Sequence, residues 1–333
     1  MVSILLSVRN ESQNIIACLS NLACLEKYQA QEIEILIGDD ASQDDTVSLI
    51  QNFIVGKSNF RLFLITKKVA NLQGKANVLA QLAQKAKGEW LFFTDADMQF
   101  SPTWVQTMLE EAKKKAANEP NLALQMGFTT VVPNSFFAKL QALDWTFYLG
   151  IIHIFSIFNV PITAMGNNMA IKKEAYQKIG GYENISFSVT EDYAIFQALM
   201  KQGYTFSHTA NTEVLGYTQA ADSLSNLLQQ RRRWLGEFKN FAWWIQGSIF
   251  FIGFYLPLLL LFLTVPNIAL SFFLFRFVML YSILTTYCLK TKQYTVLPYL
   301  FFYDIFSLFF YMLVILYLVG SNKIYWKNRE YQA

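Results

Sequence analysis

The stretch "FFTDADMQF" (92–100) sets an apolar run against two aspartates, Asp95 and Asp97, with only Ala96 between them. Joined to what precedes it, "EWLFFTD" (89–95) reads as a strand buried on both faces that ends abruptly in carboxylates. Near-continuous apolar strands are the mark of a parallel sheet covered by helices. Asp-x-Asp at such a strand end suits a hard divalent cation, which takes oxygen ligands and needs only one or two carboxylates when phosphates complete the shell. Aspartate also favours turns, so the pair alone does not choose between a turn and a metal site.

The same alternation continues outward from this stretch. "SILLSV" (3–8), "IEILIG" (33–38) and "FRLFLIT" (60–66) read as strands. Between them lie helical segments: 10–25, with apolar positions at helical spacing at Ile15, Ile16, Leu19 and Leu22; one after Asp44 or Asp45, either of which suits a cap; and 75–87. Pro102 opens a further helix to about Ala117, and "LALQMGFTTVV" (122–132) follows as an extended run. Strands alternating with helices of this length predict an α/β fold with a mostly parallel sheet. Ligands of such sheets bind beyond the carboxyl ends of the strands. Arg9 and Asn10, Asp39 and Asp40, and Asp95 and Asp97 all fall there. Farther on, "TEDYAIFQALMKQGY" (190–204) predicts a helix with Thr190 as its cap.

Hydrophobic residues make up 53% of the 333 residues and charged residues 15%, against about 25% in a typical soluble domain. The deficit sits at the back. Between Lys239 and Lys290 the only charge is Arg276, and between Lys292 and Lys323 it is Asp304. Three segments, about 245–265, 268–289 and 295–319, are long enough to cross a bilayer, while 145–160 is shorter and reads as a buried or interfacial helix. Arg231, Arg232, Arg233 and Lys239 place the front side in the cytoplasm by the positive-inside rule. Lys323, Lys327 and Arg329 conflict with three full crossings, so one segment is expected to be interfacial or re-entrant. Arg276 and Asp304 are costly in lipid and are expected to face protein or water. A net charge of +3 gives no reason to expect a nucleic-acid partner. Cys18, Cys24 and Cys288 show no disulfide or metal pattern, and His153 and His208, far apart in sequence, show no ligation pattern.

Four further features carry possible chemistry. Lys75 follows Gly74 near a helix start, where a cation suits a phosphate. Glu191 and Asp192 open a helix; one suits a general base, and both suit simple helix N-terminal stabilisation. "QQRRRW" (229–234) suits either an anchor on anionic lipid or a clamp on a diphosphate. "MGNN" (165–168) reads as a loop.

In their order and spacing, "SVRNESQNI" (7–15), "DDASQDDT" (39–46), "GKANVLA" (74–80), "TDAD" (94–97), "GNNMAIKKEAYQKIGGY" (166–182), "TEDY" (190–193) and "QRRRW" (230–234) resemble the membrane-associated family 2 glycosyltransferases. The resemblance implies a GT-A fold, a Rossmann-like nucleotide-diphospho-sugar transferase sheet, followed by C-terminal transmembrane helices. It implies a cytoplasmic catalytic domain over 1–240 with interfacial helices near 145–160 and 222–240. A membrane domain of two to three helices over 241–320 and a short basic tail over 321–333 would follow.

Carried onto matching positions, the resemblance implies that Ser7, Val8 and Arg9 line the nucleotide pocket and that Asp39 or Asp40 reads the base. Lys75 and Asp95 would lie at the donor, and Asp95 and Asp97 would hold Mg²⁺ or Mn²⁺, Asp97 as the direct ligand. Asp192 would be the catalytic base with Glu191 beside it. Gln230, Arg233 and Trp234 would hold the donor diphosphate and the acceptor end. The implied reaction is inverting, metal-dependent transfer from a nucleoside-diphosphate sugar, expected to be UDP-linked, to a lipid-linked or envelope-glycan acceptor at the cytoplasmic face of the cell membrane. A chain opening on its first strand, with a short hydrophobic tail, speaks against the alternative of a processive polysaccharide synthase of the poly-N-acetylglucosamine kind. The further alternative is a non-catalytic nucleotide-binding membrane scaffold, against which stands the joint presence of Asp97, Asp192 and the Gln230–Arg233–Trp234 set.

Overall fold

The computed structural model describes residues 1–25, 32–186, 188–319, 323–326 and 329–332. It divides into two compact units, Met1–Thr130 with Ile152–Gln219, and Val131–Ile151 with Ala220–Ala333.

The first unit is built on a seven-stranded sheet. Strands β1 (Val2–Val8), β2 (Ile33–Asp39), β3 (Phe60–Leu64) and β4 (Trp90–Asp95) run parallel, in the spatial order β3-β2-β1-β4. Beyond β4 the order is β7 (Asn168–Lys172), β5 (Leu122–Met126) and β8 (Thr205–His208), with β7 antiparallel to both neighbours. The four parallel strands arise where apolar residues run almost without interruption; β1 and β2 are buried nearly end to end. The register aligns their carboxyl ends, pairing Ser7 with Gly38 and Asp95, and Val8 with Asp39. Strand order reverses between β1 and β4, the switch point where open sheets of this kind take their ligands.

Several local expectations need correction. Helix α1 (Ile15–Leu25) does not begin near Asn10. Asn10 has a φ of 51°, and its side chain is occupied by the Gln43 N–H (2.8 Å). Cys18 takes an inner position of α1, while Ile16 points outward at 38% exposure. Asp45 stands at the N-cap of α2 (Thr46–Ile54) without a capping side-chain bond; the neighbouring Asp44 accepts from the Thr46 and Ser12 N–H groups. Thr190 makes no capping bond to α7 (Glu191–Lys201) either, because its hydroxyl pairs with Ser188. The run 122–132 splits at Gly127 into β5 and β6 (Phe128–Val131), and β6 pairs with β9 (Leu215–Thr218) in a small separate sheet. A Cβ at Gly127 would lie 2.4 Å from the Asn168 side chain, whose amide bonds the Phe128 and Val214 carbonyls.

The amino ends of the strands are pinned by a buried carboxylate. Glu34 accepts from the Ser3 hydroxyl and the Lys87 N–H (both 2.5 Å) and pairs with Arg61. Burial pushes the Glu34 carboxyl up in pKa, but Ser3, Lys87 and Arg61 together bring it below the usual value. Gly88 donates to Ser3 Oγ (2.8 Å), and a Cβ there would meet the Ser3 backbone nitrogen at 2.4 Å. Backbone cannot move aside as a flexible side chain can. Gly88→Ala is expected to destabilise the unit by about 2–3 kcal/mol and to lower the thermal midpoint by roughly 5 °C, with turnover per folded molecule unchanged. Thermal unfolding in detergent, read beside activity, checks both halves of this expectation.

The second unit is mainly helical. It contains most of α5 (Phe136–Ile157), α8 (Leu224–Trp234), the short pair α9 (Trp243–Gly253) and α10 (Tyr255–Phe262), and the long helices α11 (Pro266–Lys290) and α12 (Leu300–Val319). Helix α5 starts nine residues before the expected 145, and 72% of its most apolar stretch is buried. Helix α11 and the segment Tyr294–Leu318 have the length and apolarity to cross a membrane, as α5 does. The expected segment 245–265 is not one straight helix; α9 and α10 meet at a 61° bend, the geometry of a broken span or a re-entrant loop. Arg276 on α11 pairs with Asp304 on α12 and donates to Ser307 Oγ (2.7 Å), so neither charge is left alone in an apolar setting. Of the expected tail 321–333, Lys323–Trp326 and Arg329–Gln332 form a two-stranded ribbon, β10 and β11; Lys327 and the remaining tail positions lie outside the described residues.

Two of the four cations counted toward sidedness do not face a membrane surface. Arg231 is 6% exposed and Arg232 4%. Arg231 pairs with Asp144, and Arg232 donates to the Tyr317 carbonyl (3.2 Å).

Candidate active site

Residues from β1, β2, β4, α3 (Gly74–Lys85) and α7 meet at the carboxyl edge of the sheet in the first unit. Lys75 is the hub. Its ammonium lies 2.7 Å from Asp95 Oδ1 and 3.0 Å from Glu191 Oε1, joining three groups from distant parts of the chain. Burial alone would push the Lys75 pKa down, but the charges of Asp95 and Glu191 outweigh it and hold the pKa above its usual value. The amine therefore stays protonated.

Asp192 sits in the first turn of α7, where the helix dipole favours negative charge. The Gly166 N–H donates to its Oδ2 and the Tyr193 N–H to its Oδ1, both at 2.8 Å. Gly166 leaves room for this contact, since a Cβ there would come within 2.9 Å of the Asp192 Cβ. Burial, then the adjacent charge of Glu191, push the Asp192 carboxyl up to about 6, with Lys75 and the two N–H donors pulling the other way. A carboxylate with that value is suited to exchanging a proton near neutral pH.

Asp97 accepts a hydrogen bond from the Thr218 hydroxyl. Burial, and next the charge of Asp95, raise its pKa. Among the described residues no cluster of three or more His, Cys, Asp or Glu has the arrangement of a metal site. Asp95 and Asp97 offer carboxylate oxygens, the donor type a hard divalent cation takes when a phosphate substrate completes its shell.

At the ends of β1 and β2, Arg9 donates to the Asp40 carbonyl (2.6 Å) and lies 3.7 Å from the Asp40 carboxylate. Asp39 is 3% exposed. Its Oδ2 accepts from the Ser42 N–H (3.1 Å), and its buried Oδ1 has no hydrogen-bond partner among the described residues. Buried acceptors are nearly always satisfied, so that oxygen is open to a ligand donor. Ser7 and Val8 precede Arg9 on β1.

Gln230, Arg233 and Trp234 lie on α8 of the second unit. His153 and His208, distant in sequence, pack with rings 5.4 Å apart, and His208 Nε2 bonds the Gly127 carbonyl. Sequence reasoning missed Thr218, Gly166 and Tyr182. Thr218 lies 121 residues from Asp97 and leaves no local pattern. Gly166 was visible as the glycine of "MGNN" but not as a donor to Asp192. Tyr182 follows Gly180 and Gly181, both at positive φ, and its buried hydroxyl has no hydrogen-bond partner among the described residues.

The model of the family described as Glycosyl transferase family 2 matches residues 3–180, more than half of the chain. A GalNAc(5)-diNAcBac-PP-undecaprenol beta-1,3-glucosyltransferase of Campylobacter jejuni is 23% identical over 221 residues, which cover 62% of this chain and 70% of that protein. The solved structure of the mannosyltransferase PcManGT from Pyrobaculum calidifontis, in complex with GDP-Man and Mn²⁺, superposes with a TM-score of 0.55 at 16% identity. The match covers 96% of this chain and 87% of that one. At that identity the likeness is one of fold.

Proposed function

The chain belongs to glycosyl transferase family 2 and is a glycosyltransferase, and from that premise we propose that it transfers one sugar, with inversion, from a nucleoside-diphosphate sugar to a lipid-linked acceptor. Its first unit has the GT-A fold. The observation that carries the reading is the Lys75 bridge to Asp95 and Glu191 (2.7 and 3.0 Å), next to Asp192 with its two backbone donors. It gathers four of the expected site residues at the ligand-binding edge of the sheet.

In this reading Asp192 takes the proton from the acceptor hydroxyl. The hydroxyl oxygen bonds to the anomeric carbon as the bond from that carbon to the diphosphate oxygen breaks. Attack and departure on opposite faces invert the centre. Glu191 holds Lys75 beside the donor, where its charge favours the phosphates. Mg²⁺ or Mn²⁺ held by Asp95 and Asp97 would offset the charge that builds on the leaving diphosphate. The open Oδ1 of Asp39 is suited to a base N–H, which favours Asp39 over Asp40 as the base reader; Asp40 is engaged with Arg9. Ser7, Val8 and Arg9 line the rest of the nucleotide pocket, and Gln230, Arg233 and Trp234 serve the diphosphate and the acceptor end.

The lipid-linked acceptor is supported by the named substrate of the Campylobacter jejuni relative and by helices apolar enough to cross a membrane. In this reading the enzyme lies in the cell membrane with the sheet domain on the cytoplasmic side, and helices long and apolar enough to cross a bilayer support the membrane part of it. The donor is taken to be UDP-linked.

Nucleoside-diphosphate release by the detergent-purified protein tests this reading. A panel of UDP- and GDP-sugars is offered with Mn²⁺ or Mg²⁺, with and without membrane lipid extract. One donor is expected to give metal-dependent release, accelerated by the lipid arm, with a product carrying a single added sugar. A ladder of long products would instead favour the processive alternative. No release and no nucleotide binding under any condition would overturn the assignment of the site.

A further inference from the structure

We propose that Arg231, clamped by the buried Asp144, is the positioning residue that sets Gln230 and Trp234 for the transfer reaction. The proposal rests on the reading above, which gives Gln230, Arg233 and Trp234 to the diphosphate and the acceptor.

All the contacts lie within the second unit. Arg231 donates to Asp144 Oδ2 through Nε (3.2 Å) and Nη2 (2.5 Å), a two-pronged bond. The other oxygen of Asp144, Oδ1, accepts from the hydroxyls of Tyr303 (3.1 Å) and Tyr311 (2.6 Å) on α12. Asp144 is 2% exposed, and all four of these bonds converge on one carboxylate. The third arm of the guanidinium, Nη1, donates to Gln230 Oε1 (2.5 Å). The face of the guanidinium lies over the Trp234 ring, 4.1 Å from its centroid. Trp145 meets the same ring edge-on (4.8 Å, 86°), and Tyr148 lies nearly parallel to it at 6.0 Å.

A planar fork locked on one side therefore touches two of the three assigned residues on the other. Helix α8 alone would not hold them so. Gln230 and Trp234 are long side chains with several rotamers, and ordering each has an entropic cost. Arg231 transmits the rigidity of the Asp144 knot to both. Lysine cannot replace it, because a point charge lacks the fork and the flat stacking face. A misplacement of about 1 Å in a reacting complex costs roughly 10²-fold in rate.

The test uses the full-length protein in detergent with the active donor and lipid extract. Arg231→Lys is measured for kcat, for KM of the sugar nucleotide and for thermal midpoint. A second variant, Asp144→Leu with Arg231→Met, replaces the ion pair by apolar side chains and so leaves no buried charge unpaired. The expected result is a fall in kcat of about 10²-fold in both, with KM for the donor within about twofold, the pattern of an interaction realised in the transition state. The midpoint of the apolar pair is expected to fall, because the Tyr303 and Tyr311 hydroxyls lose their acceptor, so kcat is taken per folded molecule. Parental kcat per folded molecule in either variant, or a loss of activity that only follows a loss of folded protein, would overturn the proposal. Arg233→Ala and Asp192→Asn run in the same assay separate the two levels. If they are inactive while Arg231→Lys is fully active, the positioning role alone fails. If they too are fully active, the underlying site assignment fails.

Discussion

Asp192→Asn is expected to lower transfer by about 10³-fold while nucleotide binding stays within about twofold of the parent. The substitution keeps size and shape, and the remaining oxygen still accepts from the Gly166 or Tyr193 N–H. It removes the one property the reaction requires, the capacity to accept a proton. An alanine would also empty the contact with Gly166 and confuse loss of chemistry with loss of packing. Isothermal titration of the nucleotide beside product formation separates the two effects. Full activity in the asparagine variant would mean that another group takes the proton.

The pH dependence follows from the same carboxyl. With its pKa pushed up to about 6 by burial and by Glu191, Asp192 is protonated and inactive as a base below that value. Transfer, read as kcat/KM for the free enzyme, should rise with pH through about 6 and then level. At pH 5 roughly a tenth of the molecules carry the ionised form. Stability has the opposite sign. The folded protein binds this proton more tightly than the unfolded chain does. The Asp192 contribution therefore favours folding at low pH and is lost as pH rises from the ordinary aspartate value of 3.8 to about 6. An enzyme that is more active where this residue makes it less stable has placed a carboxylate for chemistry rather than for folding.

What the sequence shows about this site is what strand geometry can carry. Asp39 and Asp95 were legible because each ends an apolar run, and parallel pairing then aligns the ends of neighbouring strands. Lys75 was legible as a cation behind a glycine, but not as the partner of both Asp95 and Glu191, since nothing local records a contact between α3 and α7. Thr218 and Gly166 are ordinary residues whose roles exist only after folding. Asp144 is a single acid in an apolar helix and carries no pattern at all. Arg231 shows the reverse failure. Three consecutive arginines before an apolar segment read alike whether they meet lipid headgroups or a buried carboxylate, and only the Asp144 knot distinguishes the two. The bend between α9 and α10 was hidden for a similar reason, because hydropathy reports apolarity and not direction.

Asp97→Ala is expected to abolish metal-dependent transfer, by about 10³-fold or more, and added Mg²⁺ or Mn²⁺ is expected not to restore it. The two carboxylates of the pair are not equivalent. Asp95 is held by Lys75 at 2.7 Å, an ion pair that any cation bound to Asp95 has to share. Among the described residues Asp97 forms no ion pair and is oriented instead by the neutral Thr218 hydroxyl, so more of its charge is open to a metal. Asp95→Ala should therefore be the milder change, with Lys75 still held by Glu191. Thr218→Val, which removes only the orienting bond, should weaken apparent metal affinity by about 10- to 100-fold and be rescued by excess metal. Mn²⁺ binding followed by electron paramagnetic resonance gives a readout separate from turnover. Chelation of the parent protein should reproduce the Asp97→Ala defect, and re-addition of the cation should reverse it in the parent alone. Full activity of both Asp97→Ala and the chelated parent would instead mean that the leaving diphosphate needs no cation at this pair, and that Asp-x-Asp serves only to close a turn after β4.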